Sequence, residues 1–198
     1  MRVVDSHWRF AVSLGGTLAA GLLLAMVTMP AQAAPKASSG PEWIYPVIPG
    51  VGGVHPRPDL PVRPDPKVDY KIFVDIISDD RDPAGHYDAL VRLSRLVNLM
   101  AYAKVPAEHV HIVALFDSKS GYAALTNAFY RHRFNGDNPN LAIVHALKKA
   151  GVNLLICGQG LAESNLPDSA VNPDVTITLS ALTDAVIYGQ QGYIYMQL

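Results

Sequence analysis

From residue 69 onward two hydrophobic periods alternate along the chain. Residues 70–77 (YKIFVDII), 109–116 (HVHIVALF), 152–157 (VNLLIC), 175–179 (VTITL) and 193–197 (YIYMQ) are short runs rich in β-branched and aromatic side chains. Such runs predict five strands. Between the first two, Leu90, Leu93, Val97 and Met100 recur at helical spacing, leaving Arg92 and Arg95 to face water. A second helix is punctuated by Asn138 as N-cap, Pro139 in the first turn, Lys148 and Lys149 in the last turn and Gly151 as its stop. A third starts at the cap Ser180, buries Leu182, Val186 and Tyr188, and ends at Gly189. Strands alternating with helices predict an α/β fold, a flavodoxin-like three-layer sandwich with a mostly parallel five-stranded sheet.

The pattern breaks down before residue 69, in two different ways. Residues 1–33 carry a basic start (Arg2, His7, Arg9), an apolar stretch over residues 10–27 and the small-x-small motif Ala31-Gln32-Ala33. This is the form of a signal peptide, and Gly15, Gly16 and Gly21 point to cleavage rather than anchoring. The expected location is therefore periplasmic or secreted, with no membrane attachment after cleavage. Residues 34–68 form a proline-rich arm, with nine of the chain's 15 prolines between positions 35 and 66. Proline blocks helix and removes ladder donors, so the arm is extended or irregular. Trp43, Ile44, Tyr45, Val47, Ile48 and Val51 are too apolar for a solvated tether. Residues 41–54 are expected to lie along the folded domain or a neighbouring subunit. The α/β domain then occupies residues 69–198.

Charge and cysteine content narrow the function. The chain has 16 basic and 17 acidic residues, and loss of Arg2, Arg9 and Asp5 with the signal leaves 14 against 16. That balance gives no electrostatic case for nucleic acid or an anionic membrane. A single cysteine, Cys157, rules out an intrachain disulfide framework.

Cys157 also has a special place. It ends the apolar run VNLLIC and precedes the turn Gly158-Gln159-Gly160. Ligands in parallel sheets bind beyond the carboxyl ends of the strands, and the loops there are residues 78–85, 117–121, 157–160 and the one at Ser180. A thiol on that edge, beside a helix start, is placed to act as a thiolate. Asp75, inside the first apolar strand, reads as a buried carboxylate able to serve as acid or base if it lies near Cys157. Asp79, Asp80 and Asp82 read as turn formers and helix caps. His109 and His111 alternate on one strand, yet no third ligand stands near them, so no metal is expected. The Gly158-Gln159-Gly160 turn resembles the start of a dinucleotide fingerprint, but Glu163 stands where the third glycine belongs, and no cofactor is expected.

The stretch AGVNLLICGQGLAE, with Asn138-Pro139-Asn140 ahead of it and TLSALTDAVIYGQQGY after it, resembles the DsrE/DsrF family, including exported single-domain members. The segment PEWIYPVIPGVGGV resembles what precedes the first strand in exported relatives. The resemblance implies a five-stranded α/β domain assembled as a trimer or hexamer. It also implies a strand-end cysteine that accepts sulfur as a persulfide and passes it to a partner protein. Cys157 occupies that position, with Gly158, Gln159 and Gly160 as its frame. Asn138, Asn140 and Asp75 join them as candidate binding residues. The sequence thus points to an exported sulfur carrier, or sulfurtransferase-like protein, with a sulfur-donor or acceptor partner. The alternative is a non-catalytic oligomeric protein on the same fold, for small-ligand binding or assembly, in which Cys157 is only packed.

Overall fold

The computed structural model describes residues 42–198; the signal sequence read at residues 1–33 and the first residues of the arm lie outside the described residues. Strands β1 (Tyr70–Ile76), β2 (Val110–Phe116), β3 (Asn153–Cys157), β4 (Thr176–Thr178) and β5 (Ile194–Gln197) pair in the order β4-β3-β2-β1-β5. Every pairing is parallel. The three-layer α/β architecture expected from the sequence is therefore present. Its helices are α1 (Asp88–Tyr102), α2 (Asn127–Phe134), α3 (Leu141–Lys149), α4 (Gly158–Glu163) and α5 (Ala181–Gln190).

Strand alternation sorts the core into two unequal layers. Ile72, Val74 and Ile76 of β1, Ile112, Ala114 and Phe116 of β2, and Leu154 and Ile156 of β3 face Leu90, Leu93 and Val97 of α1 and Val144 and Leu147 of α3. The opposite face carries Phe73, Val113, Leu115 and Leu155, covered by Ala181, Ala185 and Tyr188 of α5. One helix thus covers a face that on the other side takes α1, α3 and Leu161 of α4.

That docking corrects the expectation for α5. Ser180 is the cap, its Oγ accepting the Leu182 N–H at 3.2 Å, but Leu182 and Val186 are 81% and 60% exposed. The helix turns Ala181, Ala185 and Tyr188 to the sheet, so Tyr188 packs as expected, and its branched residues outward. Its stop is Gly192, in the left-handed region at φ 83°, rather than Gly189.

The arm lies along α1, one of the two placements its composition left open. Asn98, wholly buried on α1, accepts the N–H groups of Val47 (2.9 Å) and Ile48 (2.8 Å) and donates to the carbonyls of Ile48, Val51 and Gly52. At Gly52 the arm also meets α1 backbone against backbone. A Cβ at Gly52 would stand 2.3 Å from the Arg95 nitrogen, so only glycine fits. Arg95 donates to the Gly53 carbonyl at 3.0 Å and stacks over Trp43, a use of that exposed arginine the helical pattern did not suggest.

Candidate functional site at the end of strand β3

Cys157 is the last residue of β3 and is 5% exposed. After it the chain turns into α4, whose Leu161 joins the α1 side of the sheet. After neighbouring β4 the chain turns into α5, on the other side. Adjacent strands that send their chains to opposite faces open a crevice, the topological switch point where parallel sheets bind ligands. Cys157 sits in that crevice.

Two backbone donors converge on its sulfur. The N–H of Gly160, in the first turn of α4, and the N–H of Ala181, the first residue of α5, each lie 3.4 Å from Sγ, measured from nitrogen. Helix starts carry unpaired N–H groups and positive partial charge, so the pair forms a small nest for negative charge on sulfur. The glycines make it possible. A Cβ at Gly158 would stand 2.6 Å from the Thr178 carbonyl oxygen, so any side chain there would push β4 away. A Cβ at Gly160 would stand 3.7 Å from the Cys157 Cβ and 3.9 Å from Sγ, narrowing the approach to the thiol. Gln159 donates from Nε2 to the Leu179 carbonyl at 3.2 Å, tying α4 to the end of β4.

The cleft over the thiol is lined by Phe116, Ser118, Tyr122, Leu161 and Ser164, and its free volume is about 10 Å³. That is space for about one water-sized atom. Ser118, on its wall, is held at φ 51°, an uncommon conformation for a residue other than glycine. Its N–H donates to the Asp117 carboxylate at 2.6 Å. The same carboxylate lies 3.9 Å from the position of a Gly160 side chain, so Asp117 borders the sulfur's surroundings.

Asp184 adds a second carboxylate on this side. Thr178, the ladder partner of Cys157, donates from Oγ1 to Asp184 Oδ1 at 2.7 Å, and Asp184 is 4% exposed with Oδ2 lacking a partner. Sequence reasoning missed Asp117 and Asp184 as neighbours of the thiol. Asp117 was visible as the residue following the second strand on the ligand edge. Asp184 gave no signal, because its burial depends on how α5 docks.

Three residues singled out from the sequence stand elsewhere. Asp75 is on β1, two strands from β3 and therefore roughly 10 Å to the side. Its Oδ2 accepts from Tyr195 Oη at 2.6 Å, while Oδ1 is buried without a partner. Burial pushes the Asp75 carboxyl above the usual carboxylate range; the Tyr195 hydrogen bond opposes this, and the neighbouring Asp117 charge adds to it. Tyr195 is in turn pushed up to about 12, chiefly by its hydrogen bond to Asp75. Asp75 thus faces Tyr195 rather than the thiol.

Asn138 and Asn140 are internal braces. Asn138 donates from Nδ2 to the carbonyls of Ala123 (2.9 Å) and Leu125 (2.7 Å) and accepts the Asn140 N–H at 3.0 Å. Asn140, wholly buried, accepts the Tyr87 N–H at 2.9 Å and is itself the N-cap position of α3, two residues later than the sequence suggested. Neither lines the cleft. His109 lies in a short 3-10 turn before β2 and meets the Pro66 carbonyl at 3.1 Å, so it does not share a strand face with His111.

A family model described as the DsrE/DsrF-like family matches residues 71–198. The chain belongs to the DsrE/DsrF-like family. In this DsrE/DsrF-like protein the match takes in the sheet from its second residue onward and the five helices of the described residues, and the arm lies outside it. No curated protein matches the chain. A solved structure of a protein of unknown function from Methanobacterium thermoautotrophicum is 20% identical over 66% of this chain and 100% of that one, with a TM-score of 0.47.

Proposed function

We propose that this DsrE/DsrF-like protein binds or carries sulfur through Cys157, as a persulfide, and works outside the cytoplasm as a homo-oligomer, a trimer or hexamer. The observation that carries the reading is the pair of N–H donors from two helix starts on Sγ. They are placed to hold negative charge on Sγ, the atom that must attack. The cleft, with room for about one further atom, suits the addition of a single sulfur.

With thiosulfate as donor, the Cys157 thiolate attacks the outer sulfur. A sulfur–sulfur bond forms to Cys157, the bond to the sulfite group breaks, and sulfite leaves with the electron pair. Neither oxidant nor reductant is consumed. Discharge needs a second thiol from a partner, since the chain has a single cysteine.

Intact mass spectrometry after exposure to polysulfide or thiosulfate tests this. The expected result is a gain of one sulfur by the wild type, reversed by a reductant and absent from Cys157→Ser. The burial of Cys157 favours a second reading, a non-catalytic binding or assembly protein on this fold. Under that reading the thiol stays unmodified in conditions that modify a small free thiol, and reacts with alkylating agents only on unfolding.

A further inference from the structure

At the opposite, N-terminal edge of the sheet a hollow of about 250 Å³ opens between the end of α1 and the starts of β2 and β3. Its walls are aliphatic: Val97, Met100, Val105, Ile112 and Val152, each less than a tenth exposed. Its roof is Val47 of the arm, whose N–H is held by the buried Asn98 at 2.9 Å, so the hollow is part of the folded arrangement. A cavity of about 150 Å³ with aliphatic walls accommodates benzene, so this one has space for an aliphatic chain of roughly six to ten carbons.

The rim holds one charged side chain, Lys104, and no carboxylate. Lys104 makes no ion pair among the described residues. Its backbone is unusual as well. Helix α1 ends with the Lys104 N–H bonded to the Ala101 carbonyl and the Val105 N–H bonded to the Met100 carbonyl, with Lys104 in the left-handed region at φ 63°. Helices α3, α5 and α4 close the same way through Gly151 (φ 89°), Gly192 (φ 83°) and Asn165 (φ 53°), residues suited to that conformation. Among the described residues a lysine takes the position only beside the aliphatic hollow, at a cost in backbone strain. A strained, exposed lysine among the residues lining an apolar hollow suits an anionic ligand with an apolar body.

We propose that the hollow binds a small aliphatic carboxylate, its chain among Val97, Ile112 and Val152 and its carboxylate against the Lys104 ammonium. The charge-assisted contact supplies the preference for an acid over a neutral molecule of the same length. This site is independent of Cys157.

The test is titration of the purified full chain with decanoate, kept below its micellar concentration, and with decanol. Methyl NMR shifts of Val97, Ile112 and Val152 locate the ligand. Saturable one-to-one binding of decanoate is expected, at least tenfold tighter than decanol. Lys104→Gly is expected to raise Tm by relieving the left-handed lysine, to weaken decanoate at least tenfold and to leave decanol unchanged. Val152→Phe fills the hollow and is expected to abolish both. Non-saturable binding, equal affinities for acid and alcohol, indifference to Lys104→Gly, or shifts that map away from these residues would each overturn the proposal.

Discussion

Cys157 owes its surroundings to neighbours with very small side chains. Gly158 allows the Thr178 carbonyl to approach, and Gly158→Ala places a methyl group within 2.6 Å of it. Overpacking of this kind costs about 1 to 3 kcal/mol. We expect that loss in urea unfolding, together with faster alkylation of Cys157 as β4 moves and the Ala181 N–H leaves the sulfur. Asp75 gives a pH signature. Its folded-state pKa lies above its unfolded one because burial penalises the charge. The stability linked to it is therefore fully present below the unfolded value, near pH 4, and falls as pH rises through the folded one. Asp75→Asn keeps an oxygen for the Tyr195 hydroxyl and carries no charge to bury. The variant should match or exceed wild-type stability at pH 7 and lack this fall between pH 4 and 7, measured by urea unfolding across that range. At this scale the sequence was informative about Cys157, because an apolar run ending at a glycine turn is a local pattern. It was misleading about Asn138 and Asn140. Polar residues ahead of a helix serve equally as caps or as braces, and what decides here is the end of a 3-10 turn, at residues 123–125, lying against Asn138.

Among the elements, α1 does more than cover the sheet, since it also holds the arm. Asn98→Ala leaves the N–H groups of Val47 and Ile48 and three carbonyls without their partner. Buried groups left unpaired cost about 1 to 3 kcal/mol each, partly recovered where water reaches them. We expect a loss of about 2 to 4 kcal/mol and rapid proteolytic cleavage near residues 47–53, which in the wild type should resist. The strands were legible to within about a residue or two at each end, because β-branched runs bounded by turns are a strong signal. For helix α5 the sequence pattern holds for Tyr188, which packs on the sheet, and fails for Leu182 and Val186, which face solvent. Leu182, Val186 and Ile187 are more apolar than Ala181 and Ala185, so hydrophobicity alone points the large residues inward. The sheet face, already filled by Phe73, Leu115 and Leu155, takes Ala181 and Ala185 near the start of the helix and one large residue, Tyr188, stacked on Phe73 near its end.

Over the whole molecule the outward side of α5 leaves apolar residues in solvent. Leu182, Val186 and Ile187 are 81%, 60% and 47% exposed, and Leu179 just ahead of the helix is 69% exposed. Exposed apolar residues in such number mark interaction surfaces. Self-association through this surface is the expectation, and Leu182→Glu combined with Val186→Glu should yield monomers by light scattering while circular dichroism stays unchanged. If the double variant has the mass of the wild type, association does not run through this surface. The strand order β4-β3-β2-β1-β5 was not legible in the sequence, since periodicity identifies strands without saying which lie side by side. The Ala181 N–H illustrates the consequence: it is 24 residues from Cys157 in the chain and reaches the sulfur only because β4 lies beside β3.

Both donors on that sulfur are main-chain groups. Drift in the surrounding side chains cannot remove them so long as the crevice between β3 and β4 survives. The single atom that any chemistry here requires hangs on one codon. A descendant that exchanges Cys157 for alanine would keep the fold, the crevice and its two N–H groups while losing the nucleophile, and a later reversal would restore it. On such a scaffold, reactive and silent versions are separated by one substitution, with no intermediate form to pass through.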